Sequence, residues 1–237
     1  MKLSVVLPAF NEEENVSRIG PELLPVLEKI TPDFEVIVVD DGSTDRTAEF
    51  VKKMNHPKIR LIKHGVNKGI AEAIRTGIRA ASGEYLVSLD SDFTFHPNLI
   101  PKLFEALEKN PGVDFVVGSP ALAKYGADVP GWRIFIAKAA LLIYSLLLGK
   151  PTTSVNPIFR LYKTRQLKEL TLEAGGFEIF AEILFKLVFG GKTFVEVPAE
   201  LTGRLYGVSK LNYAREIRRH FFLILKILKW KTRGLET

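Results

Sequence analysis

Asp90 and Asp92 stand one residue apart at the end of the apolar run Tyr85–Leu89, in the stretch EYLVSLDSDFTFHP. In an extended chain, side chains at i and i+2 point the same way, so both carboxylates can approach one point beyond the run. Two charges held that close repel unless a cation neutralises them. Oxygen-only ligands suit Mg2+ or Mn2+, and magnesium takes one or two carboxylates and leaves its other positions to water and phosphate. The chemistry implied is a divalent ion bridging Asp90 and Asp92 to a diphosphate. The plainer alternative is a loop whose aspartates cap the next helix. Asp40 and Asp41 end a second apolar run, Glu35–Val39. Carboxylates there could accept hydrogen bonds from a base N–H or a ribose hydroxyl; Asp41 could instead shape the turn or cap the following helix.

These residues need a scaffold that sets them side by side. Leu3–Leu7, Glu35–Val39, Ile59–Ile62, Tyr85–Leu89 and Phe115–Val117 read as strands, being short, apolar and followed by turn residues. Helical stretches lie between them: one N-capped by Asn11, one after Ser43, one over about residues 69–81, and one from Pro97 to the NPG turn at Asn110. Such alternation predicts an α/β fold with a mostly parallel sheet covered on both faces, whose ligands bind beyond the carboxyl ends of the strands. Past about residue 120 the alternation breaks down. An apolar helix over Trp132–Leu148, a short strand IFRLY, a helix around Phe180–Phe189 and a strand TFVEVP are expected there, then a loop GRLYGVSKLN and a basic C-terminal helix. The chain reads as one domain, 1–237, with a nucleotide-binding half (1–120) and a second half (121–237) specialised for an acceptor.

Composition narrows the chemistry. The 237 residues are 46% hydrophobic and 25% charged, as in a globular protein, and include no cysteine, which excludes disulfides, cysteine-ligated zinc and thiol catalysis. The net charge of +6 points to anionic partners. The first turn, PAFNEE, has no G-x-G-x-x-G, and no P-loop motif occurs, so dinucleotide and P-loop folds are excluded. No histidine stands out as a base: His96, before Pro97, reads as a turn residue, and His64 and His220 read as surface residues.

The ordered blocks VVLPAFNEEENV, VIVVDDGSTDRTAE, NKGIAEAIRTGIRAASGEYLVSLDSD and VVGS resemble the inverting nucleotide-sugar glycosyltransferases of family two, which have the GT-A fold. The second half, with GWR before an apolar helix, FRLYKTRQL and EVPAELTGRLYGVSKLN, is similar to the polyprenyl- or dolichol-phosphate mannose and glucose synthase branch. The resemblance implies that Pro8, Phe10, Glu12, Val39 and Asp40 line the nucleotide pocket, with Asp41 and Ser91 among the donor-binding residues and Lys68 near the base or phosphates. It implies a metal–diphosphate at Asp90 and Asp92, Glu182 facing the sugar, and Arg204, Ser209 and Lys210 gripping phosphates in a closing loop, with Arg133 on the acceptor side. The implied reaction moves a hexose from GDP-mannose, or a UDP-sugar, to a polyprenyl or dolichyl phosphate. One alternative is transfer to a soluble or cell-surface glycan, for whose hydroxyl Glu182 could act as base; another is a non-catalytic nucleotide-sugar-binding protein that tethers to membranes. The sequence departs from the branch at Pro120, Thr94, Val208 and Pro157–Ile158, so the donor half is kept better than the acceptor half.

At about 100° per residue, the C-terminal helix places Arg215, Arg218, Arg219, Lys226, Lys229 and Arg233 on one face, and Ile217, Phe221, Ile224, Leu225 and Leu228 on the other, with Trp230 toward the flank. A basic amphipathic helix with aromatic residues suits a membrane interface; the alternative is a helix packed on the core with a solvated basic side. The charge sits beside aliphatic residues rather than exposed aromatics, which argues against nucleic acid. No apolar run reaches the ~20 residues of a membrane span. The expectation is a cytoplasmic protein held peripherally on the cytoplasmic face of a membrane, working alone or with a membrane-protein partner.

Overall fold

The computed structural model describes residues 2–122, 131–206 and 213–233. Seven strands form one sheet: β1 (Leu3–Ala9), β2 (Phe34–Asp40), β3 (Ile59–Lys63), β4 (Tyr85–Ser88), β5 (Phe115–Ser119), β6 (Arg160–Lys163) and β7 (Phe194–Pro198), in the order β3-β2-β1-β4-β6-β5-β7. Each expected strand is present. All run the same way except β6, which is antiparallel to both of its neighbours. It enters between β4 and β5, so strands from both halves of the chain share one sheet.

β2 is buried along its whole length and β1 almost so, as expected for central strands covered on both faces. Helices α1 (Glu13–Val16), α2 (Leu24–Ile30), α3 (Thr47–Lys53), α4 (Ile70–Ala80) and α5 (Ile100–Lys109) cover the first half. The register sets Ala9 level with Asp40, and Val6 level with Ser88, so the segments after β1, β2 and β4 open on the same rim. Asn11 does not cap a helix as expected. It takes a left-handed φ of 53°, and its Oδ1 accepts a hydrogen bond from Thr44 N at 2.8 Å, tying the turn after β1 to the turn after β2. The helix starts two residues later.

The second half contributes α6 (Gly131–Leu148), α7 (Thr164–Lys168), α8 (Ile179–Phe189) and α9 (Tyr213–Arg233). α8 is buried over most of its length, including Glu182 and Lys186, which pair at 2.9 Å. α9 has three sides rather than two. Glu216, Leu223, Ile227 and Trp230 are buried, and Lys186 Nζ lies 4.9 Å from the Trp230 ring centroid, so Trp230 belongs to the core and not to the flank of an exposed face. Ile217, Phe221, Phe222, Leu225 and Leu228 are exposed, as are Leu142 and Leu146 on α6. Lys231 Nζ reaches Leu147 O at 3.3 Å and joins the two helices.

Candidate active site

The carboxyl rim of the sheet holds a cavity of about 390 Å³. Pro8, Phe10 and Glu12 enter from the end of β1, Asp41 from the end of β2, Lys68 from the turn before α4, and Asp90, Ser91 and Asp92 from the end of β4. Arg204 closes the same wall. Pro8 to Asp92 thus meet because parallel strands β1 to β4 end on one edge, and Arg204 joins them from beyond β7.

Asp41 is a turn-shaping residue as well as part of the wall. Its Oδ1 accepts from Lys68 N at 2.9 Å and its Oδ2 from Gly69 N at 2.7 Å, fixing the loop that carries Lys68. His64 Nδ1 lies 2.6 Å from Asp41 Oδ1, and its Nε2 lies 3.0 Å from Thr76 Oγ1 on α4. His64 is therefore buried, against the surface position expected for it, because it links this carboxylate to the helix behind. His220 is half-buried and meets the Tyr144 hydroxyl at 2.6 Å, so it too is engaged rather than free on the surface. His96 caps the short turn at Pro97–Leu99.

Asp40 is fully buried behind the wall. Its Oδ1 accepts from Ser43 N at 2.9 Å, while Oδ2 has no hydrogen-bond partner among the described residues. Gly42 makes this turn feasible: its φ is 74°, and a Cβ there would lie 2.5 Å from the Val66 carbonyl carbon. Val39 is likewise buried in the sheet rather than on the cavity wall.

Asp92 is held on both sides. Its Oδ2 meets Arg204 Nε at 2.9 Å, its Oδ1 accepts from Thr94 N at 3.0 Å, and Arg18 Nη1 donates to its carbonyl at 2.8 Å. Arg204 Nη1 also stands 3.4 Å from Glu12 Oε1. Burial raises the Asp90 carboxyl well above the usual carboxylate range, and the Asp92 charge adds to this while Arg204 opposes it. Asp90, Asp92 and Glu12 thus lie within electrostatic reach of one another, with Arg204 among them.

Other expected residues lie elsewhere. Glu182 is 1% exposed, away from the cavity wall. Its carboxylate accepts from Glu173 N at 3.0 Å and Ala174 N at 2.8 Å, and pairs with Lys186. Arg133 falls in the first turn of α6, and its side chain lies outside the described residues, as do Ser209 and Lys210. The wall also includes residues that the motifs did not mark: Gly175, Gly176 and Phe177 before α8, and Arg215, Glu216 and Arg219 from α9. No local pattern flags them, since they come from two segments about forty residues apart. A second cavity of about 340 Å³, lined by residues such as Phe95, Leu141, Tyr144, Ile158 and Leu201, shares Asp90 and Phe177 with the first.

A seven-stranded, mostly parallel sheet with this acid-lined rim is a GT-A-type α/β fold. The chain belongs to glycosyl transferase family 2, whose model matches residues 4–179. It is 31% identical to a dolichol-phosphate mannosyltransferase of Pyrococcus furiosus over 98% of its own length, and spans 65% of that relative. It is 27% identical to an undecaprenyl-phosphate mannosyltransferase of Micrococcus luteus, with 90% of this chain and 88% of the relative covered. In fold it is similar to glucosyl-3-phosphoglycerate synthase from Mycobacterium tuberculosis in complex with Mn2+, UDP and glucosyl-3-phosphoglycerate. The TM-score is 0.69 at 22% identity, over 100% of this chain and 81% of that one.

Proposed function

We propose that this chain transfers a hexose, mannose from GDP-mannose in the first instance, to a polyprenyl or dolichyl phosphate at a membrane surface. The observation that carries the reading is the junction at Asp90 and Phe177, where the acid- and cation-lined cavity meets a second, largely apolar one. A nucleotide sugar in the first cavity and a lipid phosphate entering by the second would meet there. The relatives named for transfer to dolichol and undecaprenyl phosphate support the acceptor class.

The donor set fits a divalent ion. Asp90 and Asp92 offer only oxygen, and no group of three or more His, Cys, Asp or Glu among the described residues could hold a metal unaided. Asp90 and Asp92 would hold Mg2+ or Mn2+ beside the diphosphate. When bound, the ion would supply a Lewis acid for the charge of the leaving group. The chain's own residues do the rest. Arg204 adds a fixed cation beside the diphosphate. Lys68, held by Asp41, adds another near the nucleotide. An acceptor phosphate is already anionic near neutral pH, with a second pKa of about 6, so its oxygen attacks the anomeric carbon without a protein base. The bond from that carbon to the diphosphate oxygen breaks, its electrons leave on the nucleoside diphosphate, and the anomeric configuration inverts.

The apolar residues exposed on α6 and α9, with basic side chains around them, would rest on the cytoplasmic face of the membrane. Among the described residues no helix is long and apolar enough to cross one. The test is twofold. GDP or UDP with Mn2+ should raise the melting temperature, and the rise should vanish in Asp90→Asn/Asp92→Asn. Label from GDP-mannose should pass into an organic-extractable polyprenyl phosphate. Transfer only to water-soluble products overturns the lipid acceptor; label passing from UDP-glucose alone overturns the mannose donor.

A further inference from the structure

α9 carries its exposed apolar residues on one side and part of the cavity on another. Glu216 and Arg219 stand three positions apart, hence on one face of the helix, and both line the first cavity. Glu216 is nearly buried; its Oε2 accepts from Phe177 N at 3.1 Å and its Oε1 from Arg219 Nη1 at 2.7 Å. The Arg219 guanidinium lies beside Gly175 and Gly176: a Cβ on Gly176 would stand 2.1 Å from Arg219 Nη1. Only a glycine leaves room for that contact. Beside the same glycine, Glu178 Oε2 is buried without a hydrogen-bond partner among the described residues. The C-terminal helix and the Gly175–Phe177 loop thus meet on the cavity wall through Glu216 and Arg219.

The place of this contact in the reaction follows from the junction. The two cavities share Phe177, and Phe177 is the residue whose N–H Glu216 holds. A group passing from the first cavity to the second goes by Asp90 and Phe177, and in the proposed reaction that group is the sugar. A hexose ring presents adjacent hydroxyls, each both donor and acceptor. A carboxylate next to a guanidinium offers the matching acceptor and donors.

We propose that Glu216 and Arg219, pressed onto Gly176, form the hexose end of the donor cavity and bind sugar hydroxyls. They are specificity-determining residues supplied by the same helix that exposes Ile217 and Phe221. This rests on the proposed function and deepens it. The pair would contact the sugar and not the nucleoside diphosphate, so the two ligands separate the assignment from a general structural role.

The experiment is isothermal titration of GDP, GDP-mannose, UDP and UDP-glucose, each with Mn2+, into the wild type, Glu216→Gln and Gly176→Ala. The alanine displaces the flexible Arg219 side chain while leaving both charged residues in place, so it serves as a second probe should Glu216→Gln unfold. At least a tenfold loss of nucleotide-sugar affinity, with nucleoside diphosphate affinity within twofold of wild type, is the expected result in either folded variant. Equal losses for both ligand types, or no loss for either, overturn the assignment. A wild type that binds no nucleoside diphosphate overturns the proposed function itself, and the sugar assignment with it.

Discussion

Arg204 Nε lies 2.9 Å from Asp92 Oδ2, so an arginine from the far end of the chain neutralises one of the two rim aspartates. The same guanidinium reaches toward Glu12 at 3.4 Å. In the proposed reaction a diphosphate would share these partners, and Arg204 would stand where leaving-group charge collects.

Replacing Arg204 by alanine removes that cation and leaves Asp92 buried without its ion pair. Losing one preorganised charge-stabilising group costs on the order of 10²–10³ in rate. Transfer of label from GDP-mannose by Arg204→Ala should fall by that amount, whereas Arg204→Lys should recover part of it. A rate within threefold of wild type for the alanine would show that the ion pair plays no part in transfer.

The contacts of Glu182 predict a role in stability. It caps the Glu173–Ala174 backbone and balances Lys186, which is 7% exposed. Breaking one partner of a buried pair costs about 3–5 kcal/mol. Glu182→Gln should unfold at lower denaturant by roughly that margin while keeping wild-type transfer per folded molecule at low temperature. Wild-type stability combined with abolished transfer would instead make it a group that touches substrate.

Acid stability should depend on Glu35. Burial alone would raise this carboxyl, but hydrogen bonds from Ser82 Oγ, Ser4 Oγ and Ser82 N and the Arg60 guanidinium outweigh it, lowering it from 4.5 to about 2. The folded value lies below the unfolded one. The stabilisation is therefore complete above about pH 4.5 and is lost as pH falls toward about 2. At neutral pH it amounts to about 2 kcal/mol after allowance for solvent screening. Glu35→Gln should lower stability at pH 7 by about that much and flatten the profile between pH 5 and 2; denaturant melts across that range check the slope.

Phe221 and Leu225 are 57% and 48% exposed on one side of α9. Making both glutamate should change folding stability by less than about 1 kcal/mol, since exposed sites away from special contacts tolerate substitution. Co-sedimentation with phosphatidylglycerol–phosphatidylcholine vesicles should drop at least tenfold. Unchanged sedimentation would remove this face from the membrane contact.

Much of this protein was legible in its residues. Strands alternating with helices specify parallel neighbours, because a crossover helix returns the chain to the same edge, and the acidic turns then fall at one rim with Asp90, Asp92 and Asp41. Tertiary structure alone decided what those properties do not reach. It set antiparallel β6 between β4 and β5, buried His64 against Asp41, and withdrew Glu182 beneath a loop. It also turned one edge of a basic helix, Glu216 and Arg219, into cavity wall. A helical wheel reports which residues share a side, but not which side meets water, core or ligand. That choice is made by packing between segments far apart in the chain, and no local period encodes it.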